Sequence, residues 1–527
     1  MGDGDTKHRQ DQVRPEELIG QLWDEGSPGA HGGKEALVRA LLVIGVVSML
    51  ALAPVVFFAE AGLQTEQERN EGMRQRHSRP ETTGAESGPP LTFRGGAARR
   101  GLASGDYSSP PSLLWRYPAR PMCMNSMVGR EKKTWCGTGW TGQPALRILE
   151  QGRAEVVFGA FDGAVHFVDL RTGKPTRPAF RTADIIKGSV SLDPDGEPLM
   201  YFGSRDNRLR IVALDRSRPV ELWRFDSHWI RGLWNDDWDS SPLVLGDVLV
   251  EGCENGYLLA FELNRDYRMG LVTVSPELLV AFPSWTDALI RQVGDRNTSI
   301  ESSPAAFGDR VYFANSAGRI VGLSLPGLKM GMAKVVFDFW AGDDVDATIA
   351  IDEQGMLYVA AELERYLPRA ESVGQLMKLD PYDPENPLVW KMGIPPGPDD
   401  PRGGIWSSPA VGCERVYVTT QAGLLLAVDR WDGKLLATEY IGPHAWSSPV
   451  LAWPYLLVAG CDGMLRCYRV DGANPLAELW RIDVSGGACI ESTPLVWNGY
   501  VVVGARNGFV YAFGPGGKRL ASRSGPR

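Results

Sequence analysis

The chain has 527 residues, 43% of them hydrophobic, and a formal net charge of −9. That is enough apolar material for a large core, and the length suits about two to four domains or one long all-β unit. The acidic balance, with no basic stripe interleaved with aromatics, argues against a nucleic-acid binder, while 17 Trp and 61 Gly point to many short strands and tight turns.

Residues 1–36 are polar and charged, with one candidate helix at PEELIGQLW. ALLVIGVVSMLALAPVVFFA, from Ala40 to Ala59, carries no charge, and about 20 residues of helix cross a bilayer core. It reads as a transmembrane signal-anchor helix within residues 37–62. Ala59-Glu60-Ala61 has the small-x-small form of a cleavage site, so a cleaved signal peptide stays open beside it. Lys34 and Arg39 precede the run and place residues 1–36 in the cytoplasm, although Arg69 and Arg74 follow it and weaken the bias. The remainder is then expected outside the cytoplasm, periplasmic or extracellular. Residues 63–108 are rich in Gly, Pro, Ser, Arg and Glu without apolar periodicity, and read as a disordered tether.

From Ser112 the chain repeats itself. One copy opens with Asp239 and continues SSPLVLGDVLVEGCENGYLLAFEL. ESSPAAFGDRVYF starts at Glu301, WSSPAVGCERVYVTTQAGLLLAVD at Trp406, WSSPVLAWPYLLVAGCDGMLRCYRV at Trp446 and ESTPLVWNGYVVVGARNGFVYAFG at Glu491. Weaker copies start at Thr141, Lys187 and Asp346. Each copy reads as a short strand, a turn, an alternating strand, a Gly- or Asn-bearing hairpin turn such as Asn255-Gly256 or Asp462-Gly463, and a third strand. A more polar fourth strand often carries Trp, as in ELWRFD, LVWKMG and ELWRID. Four antiparallel strands per repeat make a propeller blade. The last copy ends near Phe513 without a fourth strand, and SLLWRYPA at Ser112 has the missing pattern. The N-terminal strand is therefore expected to complete the last blade, which closes the ring without open edges. The fold class is all-β, an eight-bladed propeller over 109–516 with a disordered tail at 517–527. Seven blades is the alternative if the fifth copy, interrupted by LERYLPRAESVG, is misread.

The units resemble the repeat of quinoprotein-type β-propellers: an SSP-like strand, a Gly-bearing hairpin, and a piece matched by VDLRTGKP at Val168 and VDRWDGKLL at Val428. The resemblance spans Ser112 to Gly514. It implies one of two kinds of protein. One kind is a pyrroloquinoline quinone dehydrogenase. The other is a cofactor-free scaffold similar to the propeller lipoprotein of the outer-membrane β-barrel assembly machinery. Fold alone does not choose between them.

The residue two places before the Ser/Thr-Pro step varies from copy to copy: Thr141, Lys187, Asp239, Glu301, Asp346, Trp406, Trp446 and Glu491. If each starts an innermost strand, the eight ring one mouth of the channel as a ligand- or partner-binding site. Crowded carboxylates there raise one another's pKa unless a cation or Lys187 compensates. A solvated funnel wall with Trp packed between blades is the plainer alternative. The quinone enzymes would use Glu491 or Glu301, a calcium ion, a general-base Asp and commonly a vicinal disulfide, and no Cys-Cys pair occurs. DPDGE at Asp193 reads as a type I turn. No catalytic residues and no metal site are assigned. The six His show no metal spacing, and no GxSxG, P-loop or HExxH motif occurs.

Seven Cys leave at least one thiol unpaired. Cys123 with Cys136, and Cys461 with Cys489, are candidate disulfides for an oxidising compartment, with free thiols the alternative. HWIRGLWNDDWD at His228 supplies a candidate partner patch of Trp229, Trp234, Asp236, Asp237 and Trp238, with ordinary inter-blade packing the alternative. The favoured function is a non-catalytic protein-interaction scaffold in envelope assembly or secretion, without a cofactor. The alternative is a quinone-dependent or small-ligand-binding relative.

Overall fold

The computed structural model describes residues 88–515 apart from 129–130, 140–141, 150–151 and 399–402. Eight four-stranded antiparallel sheets follow one another along the chain. Their innermost strands begin at Ala145, Ser191, Leu243, Ala305, Ala350, Ala410, Val450 and Leu495. The eighth sheet is completed by Ser112–Tyr117, which pairs antiparallel with Val510–Gly514, so that Leu113 faces Phe513 and Tyr117 faces Val510. The ring is an eight-bladed propeller closed by its N-terminal strand. The fifth blade is a full blade whose interruption carries a short helix, Pro368–Val373. Among the described residues no helix is long and apolar enough to cross a membrane, and Ala40–Ala59 lies outside them.

Apolar alternation along each strand places side chains on both faces of every sheet. The core is therefore divided among blade interfaces. Leu146, Val156 and Phe158 of the first blade meet Leu495 and Val502 of the eighth, and Leu457, Leu465 and Trp480 of the seventh meet Val501 and Phe513 of the eighth.

The Ser or Thr two places after the ring position, followed by Pro in five of the seven blades that carry it, has a specific task. The backbone N–H of Gln143 donates to the Ser189 hydroxyl at 2.8 Å, and Ser189 N–H to Ser241 at 3.1 Å. The relay continues from Ser241 to Ser303 at 2.9 Å, Ser303 to Thr348 at 2.9 Å and Thr348 to Ser408 at 3.0 Å. It ends with Ser408 to Ser448 at 2.9 Å and Ser448 to Thr493 at 3.3 Å. The Gln143 side chain, which donates to the Pro494 carbonyl at 2.8 Å, closes the circle. Each bond contributes only about 1 kcal/mol net, but together they fix how far each blade is rotated against the next.

A second latch lies at the rim. The Trp115 indole N–H donates to the Leu170 carbonyl at 2.8 Å, and that of Trp390 to the Arg430 carbonyl at 2.9 Å. In each case the ring covers a glycine of the next blade. A Cβ on Gly173 would lie 2.5 Å from Trp115, and one on Gly433 2.7 Å from Trp390. This is the role of the TGK and DGK turns.

The stretch expected as a tether is ordered from residue 88. Its carbonyls circle the channel in blade order. Pro90 accepts from Leu146 N–H, Leu91 from Leu192, Ala97 from Ala306, Ala98 from Ile351, Arg100 from Val411 and Gly101 from Leu451. The Arg99 guanidinium is fully buried and donates to the carbonyls of Pro304, Phe93 and Ser241 at 2.9, 2.7 and 3.1 Å. Arg94 reaches across to the carbonyls of Pro449 and Pro409 at 2.6 and 2.9 Å. FRGGAARRG lacks periodicity because it belongs to no helix or sheet. Its small residues allow close backbone approach, and its arginines satisfy Pro carbonyls that face the hole. The tether expectation is corrected here for residues 88–107, while 63–87 and the tail from 516 lie outside the described residues.

Candidate functional site

Strand direction alternates within a blade. The loop leading into each innermost strand and the turn between the second and third strands therefore open on one face. The seven described ring residues sit in those lead-in loops, four residues ahead of the first paired residue rather than at the strand start itself. In six blades the residue five positions after the ring position is the one that donates its N–H to the segment 90–101. That segment thus lies across the channel below the ring.

Lys187, Asp239, Glu301 and Asp346 form one continuous arc. Lys187 pairs with Asp239, and its ammonium is 3.8 Å from Glu254. Asp237, Asp239 and Glu254 each bring a carboxylate oxygen within 4.8 Å of the others. Arg205 pairs with Asp237 at 2.9 Å. Burial, then the Glu254 carboxylate, push Asp237 up to about 7 against the opposing pull of Arg205 and Lys187. In a second triad, Asp344, Asp346 and Glu362, one oxygen of each side chain likewise lies within 4.8 Å of the others. Burial and neighbouring carboxylates hold Asp344 and Glu362 well above the usual range. Glu301 is raised in the same way, by burial and then by Asp346 and Glu254, which links the two triads. Burial also raises Asp346, opposed by hydrogen bonds that include the Ser316 hydroxyl at 2.9 Å.

The other half of the ring holds the two Trp. Trp406 and Trp446 stack on each other at 4.9 Å and 18°, and His444 stacks on Trp446 at 5.5 Å. The Trp446 indole N–H donates to the Gln421 side chain. Glu491 faces Arg506 at 3.4 Å, and Arg506 lies over the rings of Trp135 and Phe161. Burial raises Glu491, with Arg506 opposing. Thr141 lies outside the described residues.

The patch at 229–238 divides. Trp229 is 67% and Trp234 48% exposed, whereas Trp238 and Asp237 are buried. Trp238 belongs to the core between the second and third blades. The cause is local: Gly203 leaves room where a Cβ would meet Trp238 at 2.2 Å. Asp236 stands 3.6 Å from His228.

The structure pairs Cys123 with Cys136 and Cys461 with Cys489. Asp193 accepts from the Tyr201 hydroxyl at 2.6 Å and from Arg265 at 2.8 Å, which is an inter-blade tie. His166 lies between the Tyr117 hydroxyl and Asp162, each at 3.0 Å, as a satisfied sheet residue.

No family model matches the chain, and no curated protein does. Solved structures do. BamB from Moraxella catarrhalis aligns with a TM-score of 0.51 at 15% identity, over 70% of this chain and 95% of that one. The computationally designed Ika8 protein gives 0.50 at 13%, over 70% and 95%. Sqt1 of Saccharomyces cerevisiae gives 0.52 at 10%, over 68% and 92%. Likeness at these identities is likeness of fold.

Glu254, Asp344 and Glu362 were not singled out from sequence. Glu254 directly precedes the Asn255-Gly256 turn and Glu362 lies in the interrupted turn of the fifth blade. The signal was topological: second turns share the face of the lead-in loops, so acids in both sets converge.

Proposed function

We propose that this chain is a membrane-anchored propeller outside the cytoplasm that acts as a non-catalytic scaffold. It docks a protein partner through basic side chains at the acidic mouth, within envelope assembly or secretion. The observation that carries the reading is the convergence of Asp237, Asp239, Glu254, Glu301, Asp344, Asp346 and Glu362 at one mouth. The exposed Trp229 and Trp234 stand on the loop that leads into it. A desolvated acidic surface edged by aromatics suits Arg or Lys anchors with aromatic contacts around them. The uncharged run Ala40–Ala59 supports the anchor, and the two disulfides support an oxidising compartment.

Three features weigh against the quinone alternative. Trp406 and Trp446 cover each other's faces instead of framing a planar slot. Glu491 is engaged by Arg506. The chain has no vicinal cysteine pair.

The test is site-specific photo-cross-linking in the native cell, with the photoreactive residue in place of Trp229 or Trp234. A defined adduct that weakens in Glu301→Gln and Asp346→Asn, and does not form from exposed Tyr382 of the fifth blade, is the expected result. Adducts that ignore the acid substitutions contradict the reading.

A further inference from the structure

The two carboxylate triads at the mouth each gather within 4.8 Å and differ in neutralisation. The first holds its own cations: Lys187 on Asp239 and Glu254, and Arg205 on Asp237. The second has only a share of one. Arg365 pairs with Asp344 at 3.7 Å, but it also pairs with Asp295 at 2.8 Å and Asp343 at 3.4 Å. Asp343 is likewise engaged, accepting the backbone N–H groups of Glu364, Arg365 and Tyr366. No Lys, Arg or His among the described residues lies within ion-pair distance of Asp346 or Glu362. Asp344 and Glu362 are 3% and 2% exposed, yet Oδ1 of Asp344 and Oε1 of Glu362 have no hydrogen-bond partner among the described residues. Buried carboxylate oxygens without donors are costly. One oxygen from each of the three side chains lies within 4.8 Å of the other two, so they share a centre.

We propose that Asp344, Asp346 and Glu362 bind a hard divalent cation of the calcium class at the channel mouth. The donor set is all oxygen, which selects calcium, magnesium or manganese over zinc or copper. Coordination preference then separates the candidates. Calcium takes about six to eight oxygens in a flexible shell at about 2.3–2.6 Å, whereas magnesium demands near-octahedral geometry at about 2.1 Å and gives up its waters reluctantly, so three protein carboxylates on one ion favour calcium. A dication would satisfy the bare oxygens and offset the repulsion that Arg365 leaves in place, with water completing the shell. This site sits inside the proposed docking mouth, but the metal alone is its probe, so its failure and the failure of partner docking are separate results.

The test uses the full-length chain in mild detergent, stripped with a chelator and held above neutral pH. Calorimetry and thermal unfolding are followed with calcium, magnesium or manganese chloride, each alone. One calcium per chain is expected, with a rise of several degrees in unfolding temperature and weaker binding of magnesium. Asp346→Asn and Glu362→Gln each weaken calcium binding by about tenfold or more. The metal-free Glu362→Gln chain unfolds no earlier than wild type, because it loses a repelling charge; a merely structural carboxylate would show a loss of stability. Glu254→Gln keeps the calcium response. Absence of any response up to about 10 mM calcium, a response that survives Asp346→Asn with Glu362→Gln, or one abolished by Glu254→Gln alone, overturns the proposal.

Discussion

Replacing Arg99 by methionine tests whether the segment before the propeller belongs to its core. The side chain is fully buried and donates also to Thr92 Oγ1 at 2.7 Å and to the Pro242 carbonyl at 3.3 Å, and its acceptors are not equal. The Pro242 carbonyl keeps the Ser191 hydroxyl at 2.6 Å, and Thr92 Oγ1 keeps the same hydroxyl at 2.7 Å. The carbonyls of Pro304, Phe93 and Ser241 lose the guanidinium donors at 2.9, 2.7 and 3.1 Å. Each buried acceptor left bare costs about 1–3 kcal/mol, and removal of a buried charge returns part of that sum. The net loss expected is on the order of 3–4 kcal/mol. Arg100→Met is the control. Arg100 pairs with the half-exposed Glu353 at 2.9 Å, and its loss should stay under about 1 kcal/mol. Urea unfolding followed by tryptophan fluorescence gives both values. Hydrogen exchange at the amides of Leu192 and Ala306, which donate to Leu91 and Ala97, locates the effect. Arg99→Met within about 0.5 kcal/mol of wild type, with unchanged exchange at those amides, would refute the reasoning.

Gly433→Ala should destabilise by about 2–3 kcal/mol, since its Cβ would enter the Trp390 ring at a φ of +72°. Gly308→Ala, at a φ of +60° in open space, should lose only about 1 kcal/mol; equal losses in thermal unfolding would dissolve the latch. A pH series of unfolding temperatures should fall as pH rises from about 4 to about 7. Folded Asp237 sits at about 7, above an unfolded value of about 3.9. The folded state therefore keeps a proton that the unfolded state releases across that window. Asp237→Asn should flatten the descent, and a curve unchanged by it would contradict the electrostatic account.

Much of the fold was legible because its signals are local and repeated. Asn255-Gly256 and Asp462-Gly463 mark hairpins, and SLLWRYPA carries the fourth-strand pattern that the last copy lacks. The varied letter before the Ser/Thr-Pro step led to the mouth, because all lead-in loops share one face. The residues that were missed depend on contacts between distant segments. FRGGAARRG looks like a tether because its order comes from bonds to the inner strands of other blades and from no periodicity of its own. Glu254 and Glu362 reach the mouth from second turns, which read only as hairpins. Trp238 resembled the exposed Trp229 and Trp234 in sequence, and only the space above Gly203 separates them.

The mouth is proposed as a cation-accepting docking site without a redox cofactor. A calorimetric titration of the full-length chain with pyrroloquinoline quinone, with and without calcium, addresses that claim most directly. The account predicts saturable heat from calcium alone and nothing beyond dilution from the quinone in either condition. Saturable quinone binding that requires calcium and is lost in Glu491→Ala and Trp406→Ala would contradict it, and would point to alcohol and aldose oxidation instead.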